Sequence, residues 1–220
     1  SFQISLAKLK EINKYCLPIS LSGLVTFLID KMDQIILVAY LAKDDFAYYA
    51  MGCLLIPPLF LYEMSITKVL IPKLGLYCKT APNKAQQAFK KAISDSAFLI
   101  IPATFGLFYF AIPITKLLYS ESFLPSAAYL KVFALSYLTL IIPYDSIPRA
   151  TGHTTWIFRL TLAISPFSFI GVLIAAMYYN AETVLWTALI FKFTTRIMGL
   201  ILSCSLMKWK IRTTLPFKQL

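Results

Sequence analysis

The residues with the clearest capacity for chemistry are charged side chains inside long apolar segments. Asp30, Lys31 and Asp33 stand near the middle of the first such segment, and Lys192 and Arg196 near the middle of the last. On a helix, Asp30 shares a face with Asp33 and Lys192 shares one with Arg196, whereas Lys31 points away. An ionisable group deep in a bilayer is costly unless it faces a partner or water. The five residues therefore predict either interhelical ion pairs or a hydrated cavity.

The balance of these five charges favours an anionic substrate. Two are negative and three are positive, and cationic side chains bind phosphate or diphosphate through charge-assisted hydrogen bonds. We predict that Lys31, Lys192 and Arg196 contact such an anion. Asp30 and Asp33 would hold the cations in place or take up a coupling proton or sodium ion. Purely structural ion pairing stays open as the alternative.

Other charged residues and several prolines stand in or near the apolar segments. The charges that we assign to coupling or charge pairing are Glu63, Lys68, Asp145 and Arg149. A proline inside a helix removes a backbone hydrogen bond and promotes a kink, and membrane transporters use broken helices as bending points. The prolines that we predict to act as hinges are Pro57, Pro58, Pro102 and Pro143.

Residues for catalysis or metal binding are sparse. The single histidine, His153, cannot form a triad or a metal site alone, and the four cysteines lack metal-ligand spacing. We expect no cofactor, no metal and no enzymatic activity. The formal net charge of +11 would suit nucleic acid. However, the basic residues lie in short tracts between apolar runs, so nucleic-acid binding is not expected.

The elements that must position these side chains are membrane-spanning helices. The 220 residues are 59% hydrophobic and only 14% charged, with a mean hydropathy of +0.72, far from the composition of a soluble domain. A helix needs roughly 20 mostly apolar residues to cross the hydrocarbon core. The segments that meet or approach this test are approximately 15–41, 46–71, 96–115, 128–147, 160–179 and 183–207. We predict an all-α polytopic membrane protein with six transmembrane helices.

The basic residues between these segments predict the orientation of the helices. Fourteen of the 21 basic residues lie in the two tails and in every second loop: Lys8, Lys10, Lys14, Lys73, Lys79, Lys84, Lys90, Lys91, Arg149, Arg159, Lys208, Lys210, Arg212 and Lys218. Basic residues mark the cytoplasmic side, so both termini are predicted to be cytoplasmic. Tyrosines near the predicted outer ends, including Tyr48 and Tyr49, are expected to form an interfacial belt.

Three stretches resemble the polysaccharide (oligosaccharide) flippases, a branch of the transporter superfamily that also contains the multidrug and toxin extrusion (MATE) proteins. The stretches are KYCLPISLSGLVTFLIDKMDQIIL, FAYYAMGCLLIPPLFLYEMSITKVLIPKL and FLIIPATFGLFYFAIPITKLLYSESFLPSAAYL. The residues that match the family pattern are Asp30, Tyr49, Gly52, Pro57, Ser65, Pro72, Pro102, Gly106 and Pro113. The resemblance covers about residues 5–160 and implies a MATE-like lobe.

Members of that family have two lobes of six helices around a central cavity. The resemblance implies that residues 1–220 form a single lobe, the C-terminal half of a longer transporter, which needs a second lobe in the same chain or in a partner subunit. It further implies a bacterial inner-membrane flippase for surface polysaccharides such as O-antigen. Its substrate would be an undecaprenyl-diphosphate-linked oligosaccharide, moved from the cytoplasmic to the outer leaflet.

Three other functions stay open at this point. An ion-coupled multidrug antiporter of the same superfamily would favour a net acidic cavity. A membrane-embedded polysaccharide enzyme would need a nucleophile or general base in a suitable constellation. A structural subunit without cargo would use the central charges only as interhelical pairs.

Overall fold

A computed structural model describes residues 6–210 and residue 214 of the chain. Across these residues the backbone is mostly helical, and they contain no β-strand. The helices are α1 (Leu6–Leu37), α2 (Lys43–Gly52), α3 (Pro57–Thr80), α4 (Pro82–Tyr109), α5 (Ala111–Leu118), α6 (Ser126–Ala134), α7 (Ser146–Ala150), α8 (Thr154–Tyr178) and α9 (Ala181–Leu206). Short 3-10 helices cover Glu121–Phe123 and Leu135–Ile141.

The described residues confirm an all-α fold with membrane-spanning helices. Five spans are long and apolar enough to cross a bilayer, and a sixth is present if α2 and α3 together count as one bent span. Large apolar side chains such as Phe98 and Leu117 are more than four-fifths exposed. Because such side chains are stable on the surface of a spanning helix only in lipid, the chain is a multi-pass membrane protein in contact with the bilayer.

The second predicted span is broken rather than continuous. Helices α2 and α3 are bent by 43°, and the residues between them, Cys53 to Ile56, are not helical. Pro57 and Pro58 occupy the first positions of α3 instead of the middle of a helix. Proline is tolerated in the first helical turn, and it forces the residue before it into an extended conformation. Ile56 accordingly has φ −89° and ψ 105°.

The fourth predicted span is also interrupted. Helix α6 tightens into the 3-10 helix Leu135–Ile141, and α7 begins only at Ser146. Pro143 lies in the intervening stretch, where Ile142 is extended with φ −100° and ψ 103°. The same rule explains this break, because the residue before a proline is disfavoured in a helix.

The lysine-rich loop expected after the second span is largely helical. Helix α3 continues to Thr80, and α4 begins at Pro82, so Ala81 alone connects them. The helices contain 24 and 28 residues. At a rise of about 1.5 Å per residue they are roughly 36 and 42 Å long, which exceeds the ~30 Å hydrocarbon core. The tip of the α3–α4 hairpin therefore extends past the hydrocarbon core, and the lysines near the tip lie at the level of the headgroups.

Two buried clusters hold the ends of the bundle together. One contains Leu37, Tyr49 and Val184, which the charge pattern places at the outer end. The other contains Leu74 and Phe89 together with residues of α7 and α9, all from the predicted inner end. The packing thus brings together the helix ends that the predicted topology places on the same side of the membrane. Which of the two sides is cytoplasmic stays a prediction.

We predict that Gly52→Ala destabilises the contact between α2 and α6. A Cβ at Gly52 would lie 2.6 Å from both the backbone oxygen of Ser126 and the Cβ of Tyr129, and backbone cannot rotate away. Overpacking of this kind costs about 1–3 kcal/mol. The thermal unfolding midpoint of the purified protein in micelles should fall.

The matched control is Gly23→Ala in α1, where an added Cβ meets nothing within 4 Å. Alanine is also the better helix former, so this change should leave the midpoint unchanged or raise it. Equal midpoints for the two variants would contradict the close packing of α2 on α6.

Candidate functional site

A cavity of about 200 Å³ lies within the bundle. Its walls come from α1, the break between α2 and α3, the start of α3, the segment from Phe133 to Tyr144, α8 and α9. All five charges that the sequence places in the first and last spans line it: Asp30, Lys31, Asp33, Lys192 and Arg196. The fold thus brings side chains about 160 positions apart into one space.

The acidic residues lie closer to the end of α1 than the sequence pattern indicates. Because α1 ends at Leu37, Asp33 is four residues, or about 6 Å, from the helix end. Asp33 is 6% exposed and accepts a hydrogen bond from the hydroxyl of Tyr49 on Oδ2. Its other oxygen, Oδ1, has no hydrogen-bond partner among the described residues. Asp33 also lines the cavity, so a small movement of its side chain would expose that oxygen to the interior.

Asp30 and Lys192 form an ion pair across the cavity. The Lys192 Nζ lies 3.1 Å from Asp30 Oδ1 and 5.8 Å from the centre of the Phe133 ring. About half of the Asp30 side chain and a quarter of that of Lys192 are exposed. The ion pair joins α1 to α9, and the Phe133 ring, on α6, lies against the Lys192 ammonium group.

Arg196 is held differently and has no carboxylate partner. Its Nη1 donates to the backbone oxygen of Ile142 at 3.3 Å, and its guanidinium lies 4.8 Å from the centre of the Tyr144 ring. Glu63 is within electrostatic reach, but the ion pairs within 4 Å in the described part of the chain do not include Arg196. Its positive charge is therefore balanced only at longer range. Lys31 is exposed and donates to Gln34 Oε1 at 3.4 Å.

The two proline breaks build the cavity wall, and side chains satisfy the backbone groups that they expose. The backbone N–H of Ile56 donates to the hydroxyl of Tyr137 at 2.7 Å. Past the second break, Ser203 Oγ donates to the backbone oxygen of Tyr144 at 2.6 Å. Non-helical backbone at membrane depth is tolerated where it is buried in protein or lines a cavity, and both breaks meet that condition.

Sequence reasoning missed the tyrosines of this site. Tyr49, expected in an interfacial belt, is fully buried against Asp33. Tyr137 and Tyr144 were not singled out. The available signal was indirect, since prolines that break a span leave backbone groups that need polar partners. Gly199 is a second signal, because the Tyr144 ring lies so close that no side chain fits there.

The remaining predicted charges lie outside the cavity. Glu63 is partly buried on α3 and accepts from Thr67 Oγ1 at 3.3 Å, while Lys68 is exposed. Asp145 and Arg149 form an ion pair of 2.6 Å around α7. Among the predicted hinges, Pro57, Pro58 and Pro143 stand at the two breaks, whereas Pro102 lies inside the continuous helix α4. The part that these residues play stays a prediction.

A comparison with protein families identifies the chain. A family model described as polysaccharide biosynthesis protein matches residues 1–128, which is more than half of the chain. The chain belongs to the polysaccharide biosynthesis protein family. Searches of curated proteins and of solved structures gave no match.

The family match divides the cavity in two. It includes Asp30, Lys31 and Asp33 on α1, and it extends into the first residues of α6. Lys192 and Arg196 on α9 lie beyond it. Two of the three cations that line the cavity are therefore contributed by the part of the chain that the family model does not match.

We predict that Thr195 faces water while its neighbour Thr194 faces lipid. Thr195 lines the charged cavity, whereas Thr194 lines an apolar groove between α9 and residues Leu135 and Leu138. In a background without the four native cysteines, Thr195→Cys should react with a charged, membrane-impermeant thiol reagent at least tenfold faster than Thr194→Cys. Both threonines are tied to their own helix by a hydroxyl bond, so the variants are matched. Equal rates would show that the cavity is dry.

Proposed function

We propose that this chain forms one lobe of a flippase that moves a lipid-diphosphate-linked oligosaccharide across a membrane. The observation that carries the proposal is the net positive cavity of a polysaccharide-family membrane protein, in which Arg196 forms no ion pair with a carboxylate of the described residues. The lobe would be the C-terminal half of a longer transporter in the bacterial inner membrane, as the likeness to MATE-type transporters suggests. The substrate would serve surface polysaccharide synthesis.

The chemistry of the cavity supports a diphosphate as the recognised group. Lys192 and Arg196 are four residues apart on α9, so their charged groups can contact two neighbouring phosphoryl groups. A guanidinium presents a planar fork that matches phosphate oxygens, and an ammonium acts as a point charge. Asp30 would release Lys192 when the anion arrives, so one ion pair would replace another.

The volume of the cavity limits what one lobe encloses. At about 200 Å³ it is smaller than the roughly 300–1,000 Å³ of sites that surround drug-sized ligands. It would hold the charged group, while the sugars occupy space shared with a second lobe and the lipid chain stays in the bilayer. Bending at the two proline breaks, around Pro57 and Pro143, would let the lobe open toward each side in turn.

The acidic residues suggest how the movement is driven. Asp33 is buried, lines the cavity and has one oxygen without a hydrogen-bond partner among the described residues. A proton or sodium ion taken up there would neutralise the carboxylate. The same observation favours a second candidate, an antiporter for organic cations, because a buried carboxylate can attract such a substrate.

Transport is also a better account of the polar lining than catalysis. The hydroxyls of Thr161 and Thr195 on the cavity wall donate to carbonyls of their own helices. A nucleophile would instead need a hydrogen bond to a general base. We therefore propose a non-enzymatic role, with the bilayer, the lipid-linked oligosaccharide and a second lobe as its partners.

We predict that Arg196→Gln slows flipping at least tenfold. Hydrogen bonds to charged groups are worth about 1.5–3 kcal/mol, which corresponds to roughly 10- to 150-fold. The measurement is translocation of a fluorescent lipid-diphosphate oligosaccharide in proteoliposomes made with the complete transporter. Lys43→Gln is the matched control, since it removes an exposed cation outside the cavity lining.

Two results would count against the flippase. Wild-type rates for both variants would exclude Arg196 as an anion contact. Efflux of an organic cation that requires Asp33 but not Arg196 would indicate the antiporter instead.

A further inference from the structure

Two lysine-rich tracts meet at one end of the bundle. Residues 64–94, in α3 and α4, contain no Asp or Glu and six lysines: Lys68, Lys73, Lys79, Lys84, Lys90 and Lys91. Residues 183–220 also lack acidic residues, and Lys208 and Lys210 follow α9 directly. The middle of the first tract, around Ala81, is the tip of the α3–α4 hairpin, where the helices extend past the hydrocarbon core.

Specific contacts join the second tract to the first. The chain turns after α9, where the backbone N–H of Trp209 donates to the backbone oxygen of Cys204 at 2.9 Å. The Trp209 ring then lies 6.2 Å from the Phe89 ring of α4. Further along, Gln86 Nε2 donates to Thr214 Oγ1 at 3.1 Å, and Thr214 is fully buried. Trp209 and Thr214 are thus packed onto the first turns of α4.

This packing creates a basic surface without acidic partners. We define the basic end surface as the exposed lysines Lys73, Lys79, Lys84, Lys91 and Lys208. None of the five belongs to an ion pair within 4 Å in the described part of the chain. The apolar residues between them on α4, Ala85 and Phe89, are buried, so the helix presents its charged face outward.

The position of this surface identifies its partner. Val69 and Leu76 are seven residues apart on one face of α3 and are 58% and 62% exposed. Apolar side chains so exposed lie against hydrocarbon, which places Lys79, three residues past Leu76, at the boundary between acyl chains and headgroups. The long side chain of Lys73 can extend to the same boundary. Clusters of four to eight basic residues directly beside a spanning helix attract anionic lipid headgroups.

We propose that the basic end surface binds anionic phospholipids of the adjacent leaflet. The bound headgroups hold the α3–α4 hairpin and the segment after α9 together at the membrane surface. Recognition is electrostatic, through ammonium groups and phosphate oxygens, and it therefore weakens with salt.

The test uses the full chain reconstituted in mixed lipids, with Trp156→Phe and Trp186→Phe so that Trp209 alone fluoresces. The probe is brominated phosphatidylglycerol or brominated phosphatidylcholine, which quenches a tryptophan that it contacts. We expect phosphatidylglycerol to bind beside Trp209 at least tenfold more tightly. The preference should vanish in 0.5 M salt and in the triple variant Lys79→Gln, Lys84→Gln, Lys91→Gln.

A matched triple variant separates the effect of the basic end surface from the effect of net charge. Lys43→Gln, Lys116→Gln and Lys131→Gln remove the same number of charges from other parts of the fold and should leave the preference intact. Circular dichroism verifies that both triple variants keep their helices. Equal quenching by the two lipids in the wild type, or equal losses in the two triple variants, would overturn the proposal.

Discussion

At membrane depth, every charge and every backbone polar group needs a partner in the protein or in a water-filled cavity, and this constraint governs the arrangement of the lobe. The prolines that interrupt the second and fourth spans leave backbone groups without their helical partners. Tyr137 and Ser203 bond to those stretches, and Arg196 bonds to the carbonyl of Ile142. Side chains of the bundle therefore satisfy the backbone at both breaks, and the breaks form part of the cavity wall. Non-helical backbone at membrane depth is tolerated in such a position.

The same constraint connects structure to movement. A continuous helix resists bending because each of its backbone bonds would have to be broken, whereas α2–α3 and the stretch around Pro143 have already given up those bonds. Their replacements are single side-chain contacts, which can exchange at lower cost. The Asp30–Lys192 pair has a similar character, since it joins α1 and α9 through two partly exposed groups. The most easily rearranged contacts of the lobe thus surround its cavity.

Much of this organisation could be predicted from the sequence, for physical reasons. Apolar runs of spanning length fixed the helical class, and the cost of buried charge pointed to the first and last spans. The partners within the site could not be predicted, because they depend on how far each break displaces the chain. One alternative from the sequence was pairing of both acidic residues with the cations of the last span, but Asp33 bonds to Tyr49 and Arg196 lies on Tyr144. Those rings come close to the charged residues only in the folded bundle.

The α3–α4 hairpin shows a different kind of limit. Its low hydropathy predicted a loop, although Ala85, Phe89, Ala92 and Ile93 are spaced to form one helical face, and all four are buried. That periodicity signals a helix that packs on protein outside the hydrocarbon core. Hydropathy alone identifies the membrane-spanning part of a helix, but it does not show that the helix continues beyond the hydrocarbon core.

Binding of a short-chain prenyl diphosphate to the purified protein, measured calorimetrically at low salt, tests the central claim most directly. An anion-binding cavity predicts a saturable site that Arg196→Gln weakens at least tenfold. It also predicts that Asp30→Asn strengthens binding, because Lys192 is then released from its ion pair and free to contact the diphosphate. Binding that is unchanged in both variants, or weakened by Asp30→Asn, would contradict the claim and leave the central charges as structural pairs.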